Sequence, residues 1–326
     1  MELRKDPITR SWVVVGPPER SLLPPEPCPL CPGNEGDTPT ILAYPALGPW
    51  QVRDFPHFQP LYHVEGLPGR SAEGIYDRMN LIGAHEIIVE TPNHTQELSA
   101  LSDEGIENVL KAYSTRISDL KGDPRFKYVT IFKNRGLLAG EEWPHSHSQL
   151  TATTFVPRRI LYELRAAREW YRAKERCVFC DIIRQEERAK KRLVDGQGDF
   201  IAYCPYASRV PFEIWIMPRK HNHLFETPAP SENRRNLATL LGRVLRRVLE
   251  ICEDYHLVVH TAPNTRIAKG SLKDYWKTIA SDYHWHFEIL PIIHAGSKSY
   301  SIKEVYFNPL HPEQAAARLR EMDVSR

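Results

Sequence analysis

The sequence predicts an α+β protein made from two copies of one unit. Three observations carry that expectation. Two Cys-x-x-Cys pairs, Cys28/Cys31 and Cys177/Cys180, are each followed by the same series: an apolar strand with a histidine at its end, an amphipathic helix, a second apolar strand and a His-x-His segment. Glu86 stands as far before His94 as Glu213 does before His221. Apolar residues recur at three- and four-residue spacing in the helical runs, whereas the strand runs are short and β-branched.

Taken in order, "GAHEIIVETPNH" reads as the first of these strands. A helix over 102–121 gathers Ile106, Val109, Leu110, Tyr113 and Ile117 on one face. "KYVTIF" is the next strand, and "PHSHSQL" is the paired-histidine segment. Strand side chains alternate, so His145, His147 and Gln149 share one face. "RRILYELRAAREWYRAKER", 158–176, predicts a helix joining the copies, with domains expected at 1–170 and 171–326. The second copy repeats the series: "FEIWIMPRKHNHLFE", a helix over 231–253 with Leu237, Leu240, Leu241, Val244, Leu245 and Val248 on one face, "HLVVH", and "YHWHFEIL".

Composition bounds the function. The 326 residues are 41% hydrophobic and 26% charged, which suits a globular chain with a sizeable core. A net charge of +2 gives no basic stripe for nucleic acid, and neither a signal core nor a spanning apolar run is present. The expectation is a cytoplasmic protein that binds neither nucleic acid nor membrane. The 27 prolines cluster in segments such as "GPPERSLLPPEPCPLCPG", read as ordered extended loops. Cys204 and Cys252, in apolar surroundings, are expected to be core thiols.

In a reducing compartment, Cys-x-x-Cys pairs with histidines nearby point to metal rather than disulfides. Zinc takes four tetrahedral ligands, often thiolate and imidazole together. Each copy offers such a set: Cys28, Cys31, His94 and His145, then Cys177, Cys180, His221 and His284. In each, the cysteines are expected in a turn, one histidine ends a strand and one begins the His-x-His segment. Two zinc ions per chain follow, closed to substrate and therefore structural. His223 competes with His221, which the repeat favours. With His145 on the metal, His147 is left as a nucleophile toward phosphorus. Gln149 beside it is placed to stabilise developing charge. The "KNRGLLAGEEW" loop, with Asn134 and Gly140, is expected to wrap a phosphate. In the second copy Glu288 stands where the first has Gln149, so His286 is expected to be structural.

"GAHEIIVETPNH", "FKNRGLLAGEEWPHSHSQ" and "YFNPLHPEQAAARLRE" resemble the galactose-1-phosphate uridylyltransferase family, close to ADP-glucose phosphorylase, in the histidine-triad superfamily. The resemblance runs over nearly the whole chain. His-x-His-x-Gln is similar to the transferase branch, since the hydrolases carry a third histidine where Gln149 stands. It implies two fused histidine-triad-like repeats, each an antiparallel sheet with a main helix, and a homodimer. It also implies a ping-pong reaction in which His147 attacks the α-phosphorus of a nucleoside-diphosphate sugar and the nucleotidyl group passes to a sugar 1-phosphate. Asn134 and Gln149 would contact the phosphate, Arg20 would approach the nucleotide, and "VRDFPHF", with Arg53, His57 and Phe58, would line the base pocket.

The chain departs from the family pattern at three places. Glu142 replaces a serine after the loop glycine, His57 replaces a base-pocket asparagine, and "HAGSKSYSIKEVYFNP" lacks the usual hexose element. The first reading is UDP-glucose—hexose-1-phosphate uridylyltransferase of galactose metabolism. The alternatives are an ADP-sugar phosphorylase and a non-catalytic nucleotide-binding relative.

Overall fold

The computed structural model describes residues 1–16, 26–227, 231–267, 276–293 and 305–324. The elements of the first half are β1 (Glu2–Lys5), β2 (Trp12–Val15), β3 (Leu42–Tyr44), β4 (Val52–Pro56), β5 (Ser71–Glu73), β6 (Tyr76–Met79), β7 (Gly83–Val89), α1 (Asp103–Leu120), β8 (Tyr128–Arg135) and β9 (His147–Thr153). There follow α2 (Arg158–Lys174), α3 (Val178–Ala189), β10 (Leu193–Gln197), β11 (Phe200–Tyr203), β12 (Ile214–Pro218), α4 (Ser231–Leu249), β13 (Asp254–His260), α5 (Ile279–Asp282), β14 (His286–Ile292) and α6 (Pro312–Glu321). Among the described residues no helix is long and apolar enough to cross a membrane.

Ten strands form one antiparallel sheet in the order β10-β11-β12-β14-β13-β8-β9-β7-β4-β3. Reading outward from the centre, β8-β9-β7-β4-β3 and β13-β14-β12-β11-β10 are the same series in opposite directions. The sheets of the two halves therefore join through β8 and β13 rather than standing apart. Phe132 pairs with Val258 across that seam. Phe132 also faces Gln149 as Val258 faces Glu288, so the two are equivalent by the repeat and mark its pseudo-two-fold axis. A smaller sheet, β2-β1-β6-β5, lies apart from this one.

The helices form where the sequence periodicity places them, with shorter ends. Ser102 caps α1 by accepting the Gly105 N–H, and Asp103 and Glu104 occupy its first turn, where carboxylates favour the positive end of the helix. Glu175, in the left-handed region at φ 53°, ends α2 two residues earlier than the pattern predicts. α4 stops at Leu249 because the Ile251 N–H bonds back to the Val248 carbonyl, tightening the last turn. α1, α4 and α6 pack on one face of the large sheet, where Ile106, Val109, Leu241, Val244 and Leu319 share a core with Ile88, Ile131, Ile216 and Val259. The other face carries α2 and α3, with Leu164, Phe179 and Tyr283 in a second core, and the histidines. Cys204 is fully buried in the first core, whereas Cys252 is half-buried with its thiol on the Asp254 carbonyl at 3.2 Å.

The sheet register corrects one feature of the repeat. Equal spacing puts Glu86 over Glu213, but Ile88 faces Ser148 as Ile216 faces Phe287, which puts Glu86 over Ile214. Glu86 and Ile214 both point to the helical face, whereas Glu213 bonds Arg209 and Trp215.

Glu86 is one of three carboxylates around the buried Arg116 of α1. Its oxygens accept from Arg116 at 2.8 and 2.9 Å, Asp54 of β4 lies at 3.0 Å and Asp119 at 2.8 Å. Burial and the neighbouring Glu86 carboxylate push the Asp54 carboxyl well above its ordinary value. This cluster ties α1 to β4 and β7. Arg116→Leu leaves buried acid without its cation, and is expected to cost about 3–5 kcal/mol of stability. Urea unfolding followed by circular dichroism checks this; a loss under about 1 kcal/mol would show the cluster to be dispensable.

Candidate active site and metal centres

The segment that delivers the paired histidines begins where β8 ends. Gly136 (φ 87°) and Gly140 (φ 76°) flank a short 3-10 turn, and both sit in a region that disfavours any side chain. The Glu141 carboxylate accepts the Gly136 N–H at 3.0 Å and closes the loop on itself. The chain then returns through Trp143 and His145 into β9, which starts at His147.

His145 and its neighbours are gathered tightly. The Nδ1 of His145 lies 3.5 Å from the Cys31 sulfur and 3.9 Å from that of Cys28, and the Nδ1 of His94 lies 3.2 Å from Cys31. The donor atoms of Cys28, Cys31, His94 and His145 all fall within 4.8 Å of one another, as do those of Cys177, Cys180, His221 and His284. In the second set Cys180 is 3.4 Å from His221 Nδ1 and 3.7 Å from His284 Nδ1, and His223 is not among the gathered donors. Three of the four far nitrogens have backbone partners: His145 Nε2 bonds the Thr91 carbonyl (2.7 Å), His284 Nε2 the Pro218 carbonyl (2.8 Å) and His221 Nε2 the Ala280 carbonyl (3.0 Å). Those bonds place the proton on Nε2 and turn a bare Nδ1 toward the thiols, as a metal-binding histidine requires. The rings of His94 and His145 are 5.3 Å apart at 82°, those of His221 and His284 5.3 Å apart at 88°. Both sets fit a tetrahedral metal of zinc type.

Two local details differ from the expected pattern. His94 and His221 lie beyond their strands, which end at Val89 and Pro218. Cys177 and Cys180 do not sit in a turn: Cys177 caps α3 and Cys180 lies in its first turn. The positive end of a helix stabilises thiolate. The Cys177 S–H and the two histidines pull the Cys180 thiol down, and Cys177 is correspondingly raised.

His147 points to the same sheet face and is not part of the sulfur set. Its Nδ1 donates to the His145 carbonyl at 2.8 Å, which leaves Nε2 with the free lone pair. Burial, reinforced by the Lys133 ammonium, pushes its pKa down to about 4. Trp143 stands edge-on to the ring at 5.5 Å and also touches His57 and Phe58. Nothing in the sequence singles out Trp143, since a lone aromatic beside a proline carries no pattern. Gln149 is held at both ends: His85 Nε2 donates to its oxygen at 2.9 Å, and its amide N–H donates to Glu142 at 3.3 Å. Glu142 also meets His57 Nε2 at 3.1 Å, and the His57 ring stacks on His85 at 4.1 Å. Glu142 thus occupies the side of Gln149 on which the sequence motif leads one to expect a phosphate.

The remaining expected residues are placed as follows. Arg53 is buried on β4, bonded to Thr40 and to the Thr38 carbonyl and lying 4.7 Å over Phe55. Phe58 is part-exposed beside Phe55 and Trp143. Asn134 lies in β8 rather than in the loop, and its side-chain oxygen meets His256 at 2.9 Å. It is two residues beyond Phe132, the partner of Gln149, and so shares the face of His147. Arg20 and most of the altered hexose segment (294–304) lie outside the described residues.

A third cluster joins His286 and Glu288 to two residues that the sequence does not group with them. Glu163 of α2, His260, His286 and Glu288 bring donor atoms within 4.8 Å of one another at the second half's counterpart of the His147 position. Although burial opposes it, His260 at 3.0 Å holds the Glu163 carboxyl low, and Arg209 at 2.7 Å compensates Glu288. Burial pushes His286 down to about 4, and its Nε2 has no hydrogen-bond partner among the described residues. The repeat held one clue: by sheet register His260 is the counterpart of Asn134.

Residues 8–157 match the model of the galactose-1-phosphate uridyl transferase N-terminal domain. ADP-glucose phosphorylase of Arabidopsis thaliana is 28% identical over 99% of this chain and 93% of its own length. Galactose-1-phosphate uridylyltransferase of Thermotoga maritima is 29% identical over 99% of both. Among solved structures, an Arabidopsis thaliana ADP-glucose phosphorylase with bound ADP-glucose superposes with a TM-score of 0.79 at 27% identity, covering 99% of this chain and 100% of that one. A uridylyltransferase superposes at 0.80 and 29% identity, covering 98% and 97%. With its doubled sheet, its paired Cys/His sets and this likeness along its length, the chain is similar to the galactose-1-phosphate uridylyltransferases, whose N-terminal domain its residues 8–157 match.

Proposed function

We propose that the chain is a nucleotidyltransferase that exchanges a nucleotidyl group between a nucleoside-diphosphate sugar and a sugar 1-phosphate, with UDP-glucose and a hexose 1-phosphate as its substrates. The observation that carries this reading is the His147 imidazole, kept neutral by burial and tied through Nδ1 so that the Nε2 lone pair is left as a nucleophile. Nε2 attacks the α-phosphorus; a phosphorus–nitrogen bond forms, the bond to the bridging oxygen breaks, and sugar 1-phosphate leaves with the electron pair. A phosphate oxygen of the second sugar phosphate then attacks the same phosphorus and releases the imidazole. The carbonyl of His145, accepting from Nδ1, shares the positive charge the ring carries between the two steps.

Other residues bind and orient. The Gln149 amide exchanges Glu142 for a phosphoryl oxygen, Asn134 contacts the phosphate, and Arg20 approaches the nucleotide. His57 and Phe58 line the base pocket, while Arg53, bonded to Thr38 and Thr40, braces its floor. Zinc in each Cys/His set, two ions per chain, supplies a closed structural clamp; the first fixes His145 and therefore the carbonyl that orients His147. The protein acts in the cytoplasm as a homodimer. Adenylyl transfer from ADP-glucose is the alternative, supported by a likeness to ADP-glucose phosphorylase that spans the chain.

Three outcomes follow. His147→Gly is expected to keep its fold and metal while transfer falls by at least about 10⁴-fold. Labelling with radioactive UDP-glucose and ADP-glucose in parallel tests both nucleophile and base; covalent label in the variant would remove His147 from the mechanism. Elemental analysis is expected to find two zinc equivalents per wild-type chain, and one fewer after Cys28→Ser with Cys31→Ser. A folded, metal-free wild type would end the zinc assignment. Glu142→Gln removes a carboxylate that competes with phosphate for Gln149, and steady-state assays are expected to show KM for the nucleotide sugar lowered about fivefold, near 1 kcal/mol. An unchanged or higher KM would mean that Glu142 does not oppose binding.

A further inference from the structure

The two halves differ most directly beneath their His-x-His strands. Ile88 and Ile216 are equivalent by register, and Thr91 and Pro218 are equivalent because their carbonyls receive His145 and His284. Between those fixed points the first half holds one residue more. The surplus falls at Glu90, whose N–H still reaches the Ser146 carbonyl at 3.1 Å while its side chain turns under β9. Glu90 has no counterpart in the second half.

Its carboxylate is 1% exposed and accepts from Lys133 Nζ (2.8 Å), Ser146 Oγ (2.6 Å), Ser148 Oγ (2.5 Å) and Tyr113 OH (3.1 Å). Lys133 is fully buried in turn, and bonds Ser146 Oγ and the His147 carbonyl, each at 3.1 Å. Its three donors thus find three acceptors, so the ammonium is satisfied without water. In the second half the positions of Lys133, Ser146 and Ser148 hold Val259, Trp285 and Phe287, all part of the apolar core. Apolar packing therefore suffices to hold this pair of strands together. A buried ion pair is a poor source of stability, but its bonds have direction.

We propose that Glu90 and Lys133 are positioning residues for His147, gripping Ser146, Ser148 and the His147 carbonyl from the helical face so that the imidazole is fixed on the opposite one. Residues on either side of the nucleophile point down into the network, and the nucleophile between them points up. Fixing its flanks sets the azimuth of the ring toward phosphorus, and small errors in that approach are costly in rate. The charged network is present in the half that carries His147 and Gln149 and absent where Glu288 takes the place of the amide. This inference rests on the reading of His147 as the nucleophile.

The test uses the full-length, metal-loaded protein. Lys133→Met alone strands a buried carboxylate, so the informative variant is Glu90→Gln with Lys133→Met, which removes both charges and keeps an amide for the three hydroxyls. Expected are a melting temperature and zinc content near wild type, KM within twofold, and kcat and the single-turnover rate of protein labelling each lowered at least tenfold. A purely structural pair would leave kcat unchanged once stability is restored, and that result overturns the proposal. Should the double variant not fold, Ser146→Ala removes one grip without unbalancing charge; a loss of kcat of about threefold or more at constant KM is expected, and wild-type kcat refutes the role. Wild-type protein that takes no label would instead overturn the nucleophile reading itself, and the positioning role with it.

Discussion

The hydrogen-bonded seam between β8 and β13 is the contact on which the rest of the molecule depends. Each half alone would leave a central strand with a row of unpaired N–H and C=O groups, which is costly in a buried setting and hazardous in an exposed one. Pairing them edge to edge satisfies both rows, with Phe132 opposite Val258 at the centre. It also brings α1 and α4 side by side over one face, so that a single core serves both halves. The consequence for chemistry is on the other face, where both His-x-His segments end up on one continuous surface.

Within that shared frame the halves have diverged in a patterned way. The Cys/His sets match down to the angle between their histidine rings, because four donors converging on one point tolerate little variation. Around the second histidine of each pair the environments part. His147 has Gln149, Asn134 and a polar network beneath it; His286 has Glu288, His260 and an apolar floor. The same backbone therefore holds one imidazole beside an amide and another enclosed among carboxylates and arginines.

Buried charge is used here for direction rather than for strength. Arg116 orients α1 against β4 and β7, and Lys133 with Glu90 does so for the start of β9. Each of these ions is surrounded by enough partners to offset much of the cost of leaving water. Glu142 is different, because it remains partly exposed between His57 and Gln149.

The duplication, the main helices and the eight sulfur and imidazole donors were legible in the sequence, because each rests on local periodicity or on a residue type whose chemistry limits its use. Cys28, His94 and His145 needed no structure to be grouped; their kind and order sufficed. Other features depended on pairing between distant segments. Equal spacing put Glu86 over Glu213, while the strand register shifts the match by one and exposes Glu90 as the surplus residue; a count along the chain cannot see where a strand slips. Glu163 reads as one more polar residue on a linking helix until α2 packs against β13 and β14 and brings it to His260. Lys133 reads as a solvated strand lysine until α1 closes over it. Chemistry set by a residue's own type could be read in one dimension, whereas chemistry set by what packs against it was decided when the two halves closed into one sheet.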